Sequence, residues 1–204
     1  MTTRRSIRFA ALCIAAAMSW GIASAAQTIN GVKVDDATDV QGTALQLNGA
    51  GTRYKFVVKV YVAALYTGKK VASLDELIAL PGPKRLNVTM LRDVDAAELG
   101  KLLTRGMEDN SGRAEVSKMI NGLIRMGQIF ADQKKLVAGD TFQLDWVPGS
   151  GTIMTVKGKV QGEPFKEPEF FKALMAIWLG TSPADSRLKD ALLGVKANSS
   201  SNPN

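Results

Sequence analysis

Few side chains in this chain are of the types that carry out chemistry. Histidine is absent, and the single cysteine, Cys13, lies within the first 25 residues. These absences argue against a histidine general base, a Ser-His-Asp arrangement and most zinc sites. The sequence also lacks an Asp-rich calcium loop and a glycine fingerprint for a dinucleotide. We therefore expect neither a metal site nor a cofactor.

Arg53 is the candidate binding residue that stands out. It follows a glycine-rich stretch, residues 48–51, and precedes a β-branched run that contains Tyr61 and Tyr66. A guanidinium group is planar and can hold a carboxylate or a phenolate through two charge-assisted hydrogen bonds. Arg53 could also pair with a neighbouring carboxylate of the protein, and both tyrosines could be ordinary packing residues. The residues alone leave these interpretations open.

Residues 48–67 must position these side chains, and we interpret them as a glycine turn that feeds one central strand. Gly49 and Gly51 would permit the positive φ of a tight turn, and the β-branched residues after them favour a pleated strand. Side chains alternate along a strand, so Tyr61 and Tyr66 fall on opposite faces. We expect the face of Tyr66 to be the core face and the face of Tyr61 to be mixed.

Period-two alternation and turn residues predict the other strands. We expect short strands at residues 28–34 and 43–47 and a longer one at residues 84–92. A hairpin is predicted from residues 141–146 and 152–157, which flank a Pro-Gly-Ser-Gly turn.

Capping residues and apolar stripes predict five helices. Ser73 with Glu76, and Asp95 with Glu98, are spaced as capping boxes. The remaining three helices are an amphipathic one with a stripe from Val116 to Phe130, an apolar one from Phe170 to Leu179, and a last one that starts at Ser182 and ends at Gly194. Together, the element order favours an α+β fold, an antiparallel sheet with a layer of helices on one face.

The termini carry different signals. Residues 1–25 combine a basic start, a short apolar stretch and an Ala-Ser-Ala site, which is typical of a signal peptide. The apolar stretch is short for a membrane span, so we expect cleavage, export to the periplasm and no transmembrane segment in the mature protein. Residues 26–196 form one predicted domain, and the Ser- and Asn-rich residues 197–204 a disordered tail.

The charge pattern argues against nucleic acid as a partner. The formal net charge is +7, and three of the arginines belong to the predicted signal peptide. The other basic residues are scattered and are not interleaved with aromatic residues.

Three segments resemble the chalcone isomerase-like family, specifically its exported bacterial branch. They are GAGTR with KVYVAALYT, then GDTFQLDWVPGSGTIMTVKGK, then FFKALMAIWLGTSPADSRLKDALLG. The resemblance implies an open-faced β-sandwich with a ligand cleft between the sheet and the helices. In isomerases and fatty-acid binders of this family the arginine of the first segment lines the cleft. The resemblance therefore assigns ligand binding to Arg53 and Tyr61, with Tyr66 as a reserve candidate.

The helix positions that reach the substrate in plant isomerases are mostly not matched. Those enzymes carry a tyrosine, a lysine and an asparagine, where this chain has Glu98, Lys101 and Arg105. Only the lysine agrees, and the helical pattern turns all three positions toward water. The resemblance thus favours a non-catalytic protein that binds a small amphipathic acid such as a fatty acid. An isomerase, or intramolecular lyase, that acts on another substrate in the same cleft is the alternative, and a structural envelope protein is a third.

Overall fold

The computed structural model describes residues 26–195. The predicted signal peptide and the predicted disordered tail lie outside the described residues. The strands are β1 (Ala26–Ile29), β2 (Val32–Asp35), β3 (Ala37–Val40), β4 (Thr43–Lys55), β5 (Val58–Thr67), β6 (Lys84–Met90), β7 (Val94–Asp95), β8 (Lys135–Leu136), β9 (Thr141–Val147), β10 (Gly151–Val156) and β11 (Lys159–Val160). The helices are α1 (Leu74–Ala79), α2 (Ala96–Glu108), α3 (Arg113–Ala131), α4 (Pro168–Leu179) and α5 (Ser186–Leu192).

Seven strands form one antiparallel sheet in the order β11-β10-β9-β6-β5-β4-β3. Two further antiparallel pairs, β1 with β2 and β7 with β8, stand beside it. All five helices contribute to the larger core on one face of the sheet, through residues such as Leu77, Leu99, Met119, Leu174 and Leu188. This arrangement confirms the predicted α+β fold with an antiparallel sheet and a helical layer on one face.

Residues 48–67 form a hairpin, so the prediction of a glycine turn that feeds one strand is wrong. Gly49 and Gly51 lie inside β4, and the chain turns instead at Phe56 and Val57 before β5 begins. Neither glycine has a positive φ, whereas Phe56 does, at 57°. The turn was missed because phenylalanine and valine favour strands and carry no turn signal.

Close packing of α5 explains the two glycines. A Cβ added at Gly49 would lie 2.1 Å from the backbone oxygen of Ala191, and one at Gly51 would lie 2.7 Å from the Cβ of Ala191. Next to them, the Asn48 Nδ2 donates a 2.7 Å hydrogen bond to the backbone oxygen of Leu192. β4 is thus held directly against the end of α5.

From Val60 to Thr67 both faces of β5 are buried, so the expectation of one mixed face is wrong over this part of the strand. Tyr61 and Leu65 belong to the core beneath the helices. Val62 and Tyr66, on the other face, pack in a second cluster with residues of β1 to β4, such as Val34. The hairpin of β1 and β2 therefore helps to cover the face of the sheet that lacks helices.

The predictions that rest on residues close together in the chain, the helix caps and one hairpin, are confirmed. The Ser73 Oγ accepts a 3.1 Å hydrogen bond from the Glu76 amide, and the Asp95 Oδ1 accepts a 2.8 Å bond from the Glu98 amide, so both predicted caps are confirmed. The predicted hairpin of β9 and β10 is confirmed as well.

Several boundaries differ from the prediction: the strand predicted at residues 43–47 continues to Lys55, and the one predicted at residues 84–92 ends at Met90. Residues 28–34 are divided between β1 and β2, with a left-handed turn at Asn30 and Gly31. The last helix begins at Ser186 with Asp185 as its N-cap, and not at Ser182. Among the described helices, none is both long enough and apolar enough to cross a membrane.

Candidate functional site

The structure brings Arg53 and Tyr61 together as cross-strand partners of β4 and β5. The guanidinium carbon lies 5.7 Å from the centroid of the Tyr61 ring, within the range of a cation–π contact. The register of the two strands shifts between Arg53 and Tyr54. Such bulges often re-aim a side chain next to a binding site.

Arg53 lacks a polar partner within the part of the chain that the structure describes. Its Nε is buried and makes no hydrogen bond there, and no carboxylate among residues 26–195 lies within 4.0 Å to form an ion pair with it. A buried donor without a partner costs about 1–3 kcal/mol, and more when the group is charged. Arg53 could bind a ligand or pair with a carboxylate of the protein. Among residues 26–195 it forms no such pair.

Tyr61 is held as a neutral phenol. It is 3% exposed, and its hydroxyl accepts a 2.8 Å hydrogen bond from Trp178 Nε1. Burial raises the pKa of Tyr61 to about 12, although the positive charge of Arg53 and the bond from Trp178 both act to lower it, and the charge of Asp185 raises it further. Within residues 26–195 the Tyr61 hydroxyl donates no hydrogen bond, so its proton is available to an acceptor.

Asp185 organises the edge of this site. Its Oδ1 accepts from the Leu188 amide, 3.1 Å, as the N-cap of α5, and its Oδ2 accepts from the Tyr54 amide, 2.9 Å. The carboxylate thus fastens the start of α5 to the strand residue that follows Arg53. Asp185 forms no ion pair among residues 26–195, and its negative charge acts on Tyr61 from the edge of the site.

Sequence reasoning missed both Trp178 and Asp185. The pairing of Trp178 with Tyr61 spans 117 residues, which no local pattern indicates. Asp185 does carry a signal, since aspartate is a preferred N-cap residue, but the preceding Ser182-Pro183 predicts an earlier helix start.

Tyr66 lies apart from Arg53 and Tyr61. It is in the second core cluster, on the opposite face of the sheet, and its hydroxyl donates a 3.0 Å hydrogen bond to the backbone oxygen of Asp35. Burial raises the pKa of Tyr66 to about 12, helped by the charge of Asp35. A binding role for Tyr66 stays a prediction, and it would not be one shared with Arg53.

The helix positions compared with plant isomerases do not reach Arg53. The Lys101 side chain is 76% exposed and its Nζ lies 3.7 Å from Glu98 Oε2. Arg105 is equally exposed, with its Nε 3.8 Å from Asp109 Oδ2. Lys101 and Arg105 line an open depression of about 520 Å³ between α2 and α3.

Next to Arg53, the space between the sheet and the helices is filled by the buried side chains of Tyr61 and Trp178. Trp178, itself 1% exposed, lies against the Tyr61 hydroxyl. A cavity of about 360 Å³ among α1, α3 and α4, and another of about 310 Å³ beside Lys84, are lined by neither Arg53 nor Tyr61. No cluster of metal-binding side chains occurs among residues 26–195. Arg53 and Tyr61 thus form a polar pair at the edge of a packed hydrophobic core.

Comparison with known proteins agrees with this architecture. A family model described as chalcone isomerase-like matches residues 26–194. No curated protein sequence matches the chain significantly. Among solved structures, a crystal structure of a fatty-acid binding protein from Arabidopsis thaliana is similar, with a TM-score of 0.63 and 15% identity over 83% of this chain and 95% of that chain. At this identity the likeness shows a shared fold. Because the family model spans almost all of the described residues, the chain belongs to the chalcone isomerase-like family.

Proposed function

We propose that this protein binds a small amphipathic acid, such as a fatty acid, and holds its carboxylate between Arg53 and Tyr61. One observation carries the proposal: the Arg53 Nε is buried without a hydrogen-bond partner in the described residues, directly across the strand pair from Tyr61. A carboxylate is the group that would satisfy both side chains at once.

The chemistry of the two side chains is complementary to a carboxylate. Arg53 supplies a permanent positive charge and donors only. Tyr61 stays protonated well above neutral pH because burial raises its pKa to about 12, so it can donate to one carboxylate oxygen. Trp178 donates to the oxygen of the same hydroxyl, so the Tyr61 proton points away from Trp178 and can be donated to another acceptor. One charged and one neutral donor would then hold the anion without a metal.

The residues around Tyr61 are apolar, which suits a ligand with an apolar chain. Behind Tyr61 lie buried residues of the larger core, including Met90 and Trp178. Since this region is filled, an alkyl chain has to displace side chains between the sheet and α4 in order to enter. The similar structure from Arabidopsis thaliana is of a protein named for fatty-acid binding, and this supports fatty acids as the class to test first.

The site is also proposed to work outside the cytoplasm. The leader-like residues 1–25 support export to the periplasm, and with it a place in the exported bacterial branch of the family. Intact mass of the protein from cell envelopes should correspond to a chain that begins at Ala26 or Gln27. A mass that includes residues 1–25 would contradict export by cleavage.

Ligand-dependent thermal stability tests the binding proposal. Saturated fatty acids of increasing length should raise the melting temperature of the wild type by mass action. Arg53→Ala should weaken binding by about 2–5 kcal/mol, the range for removing one half of a buried, hydrogen-bonded charge pair. The fold should survive, because Arg53 has no polar partner to lose in the described residues.

Lys101→Ala is the matched control, since Lys101 is a cation on the exposed side of α2. Its ligand-induced shift should equal that of the wild type. Equal shifts in all three proteins, or no shift in any, would remove Arg53 from the binding site.

A further inference from the structure

The tip of the β4–β5 hairpin exposes two large apolar side chains. Phe56 is 94% exposed and Val57 is 89% exposed, and they form the turn between the strands. The other phenylalanines of residues 26–195 are at most 3% exposed; they are Phe130, Phe142, Phe165, Phe170 and Phe171. The hairpin therefore exposes a phenylalanine, a residue type that is otherwise buried among residues 26–195.

The backbone of Phe56 adds a second cost. Its φ of 57° lies in the left-handed region, which glycine and asparagine adopt readily and a bulky residue does not. Hairpin turns usually place glycine, asparagine or aspartate at such positions. A residue that is both strained and exposed gains nothing for the fold, and local strain of this kind is typical of functional segments.

Positive charge surrounds the tip. Lys55 and Lys59 flank the two apolar residues and are both exposed. Neither forms an ion pair within the described part of the chain; the Lys59 Nζ donates to the neutral Asn30 Oδ1. Residues 40–74 contain no aspartate or glutamate. One carboxylate contacts the hairpin: the Asp185 Oδ2 accepts from the Tyr54 amide, and its Oδ1 accepts from the Leu188 amide of α5.

We propose that this hairpin tip docks on an anionic phospholipid surface. Phe56 and Val57 would enter the boundary between headgroups and acyl chains, and the ammonium groups of Lys55 and Lys59 would remain among the phosphates. A protein partner fits less well, because a stable interface buries about 800 Å² on each side, and two side chains at the end of a narrow hairpin offer much less. Insertion into lipid needs only such a tip.

The inference goes beyond acid binding and does not depend on it. The same hairpin would serve both functions, because Arg53 lies in β4 only three residues before Phe56. A docked tip would place the proposed acid site close to the membrane surface, where amphipathic acids concentrate.

Co-sedimentation with vesicles tests the docking. The protein released by expressing cells, with its N-terminus established by intact mass, is mixed with vesicles of equimolar phosphatidylcholine and phosphatidylglycerol, or of phosphatidylcholine alone. We expect preferential binding to the anionic vesicles that weakens as salt is added, because salt screens exposed charges. Phe56→Gly should lower the partition coefficient by about tenfold or more, the low end for an inserted phenylalanine. The same variant should not lower the melting temperature, since glycine accepts the left-handed backbone.

The double variant Lys55→Gln with Lys59→Gln should lower anionic-vesicle binding by about tenfold or more, since each basic residue near such a surface contributes about fivefold. Matched controls are Ile124→Ser, an exposed apolar residue of α3, and Lys118→Gln with Lys159→Gln, two exposed lysines elsewhere. Both controls should bind as the wild type does. Wild-type binding by the hairpin variants, or no binding by any protein, would overturn the proposal. So would a hairpin variant that changes only self-association in sedimentation velocity, because the occupant would then be a second copy.

Discussion

Trp178 donates its indole N–H to the hydroxyl of Tyr61 over 2.8 Å, although the two residues are 117 positions apart in the chain. Both side chains are almost fully buried. The bond crosses from α4 to β5 and is therefore a polar link between the helical layer and the sheet. It lies beside Arg53, which has no ion-pair partner among residues 26–195.

Removing the indole donor should destabilise the fold. Trp178→Phe keeps an aromatic ring but leaves the buried Tyr61 hydroxyl without its donor, which should cost about 1–3 kcal/mol in addition to the cavity left by the smaller ring. Urea unfolding of Trp178→Phe, Tyr61→Phe and the double variant gives the coupling between the two residues. Strictly additive effects would mean that the hydrogen bond contributes nothing.

Stability should fall at high pH because of Tyr61. Burial raises the pKa of its phenol from 10.0 to about 12 in the folded protein, so between these values the folded chain holds a proton that the unfolded chain has lost. The stabilisation is complete below pH 10 and disappears as the pH rises toward 12. In Tyr61→Phe, the fall in the urea midpoint across this range should be smaller. An identical fall in both proteins would assign the pH dependence to other groups.

Gly49→Ala should weaken the attachment of α5. The new Cβ would meet the backbone oxygen of Ala191 at 2.1 Å, and overpacking of this kind typically costs about 1–3 kcal/mol or more. Gly68→Ala is the control, because nothing lies within 4 Å of the Cβ that it adds. The melting temperature of Gly49→Ala should be clearly lower than that of Gly68→Ala. A similar melting temperature for both would show that α5 can shift away from β4 at little energetic cost.

The paired charges on the second face of the sheet should be sensitive to single changes. Arg85 donates through Nε and Nη2 to the two oxygens of Asp145, at 2.7 and 2.6 Å, and both side chains are largely buried. Asp145→Ala leaves the guanidinium buried without its carboxylate and should cost about 3–5 kcal/mol in chemical unfolding. Lys33→Ala breaks an exposed pair with Asp35 and should cost at most about 1 kcal/mol. A small effect of Asp145→Ala would mean that water enters and solvates the Arg85 guanidinium in place of the carboxylate.

The sequence predicts the parts of this fold that depend on neighbours in the chain. Ser73 and Asp95 cap helices because their hydroxyl or carboxylate reaches an amide only three residues away. The hairpin of β9 and β10 is readable for the same reason, since its turn residues and alternation lie in one short segment.

What the sequence does not reveal depends on distant partners. Gly49 resembles a turn residue, yet its lack of a side chain is required by Ala191, which arrives from the far end of the chain. Both faces of β5 are buried over most of its length because separate segments cover them, and alternation within the strand cannot show this. For the candidate site, the family resemblance indicated Arg53 and Tyr61, whereas Trp178 and Asp185 became visible only once α4 and α5 were placed.

The hydrogen bonds of Trp178 and Asp185 also make the candidate site depend on segments that lie far along the chain from the hairpin. Arg53 and Tyr61 belong to the β4–β5 hairpin, whereas Trp178 lies in α4 and Asp185 caps α5, the last two helices among residues 26–195. A chain interrupted before Trp178 would carry the hairpin and all seven strands of the sheet but neither of the contacts that close the candidate site. Completion of the candidate site therefore depends on the last two helices of residues 26–195, although the strands that carry Arg53 and Tyr61 precede them by more than half of that range.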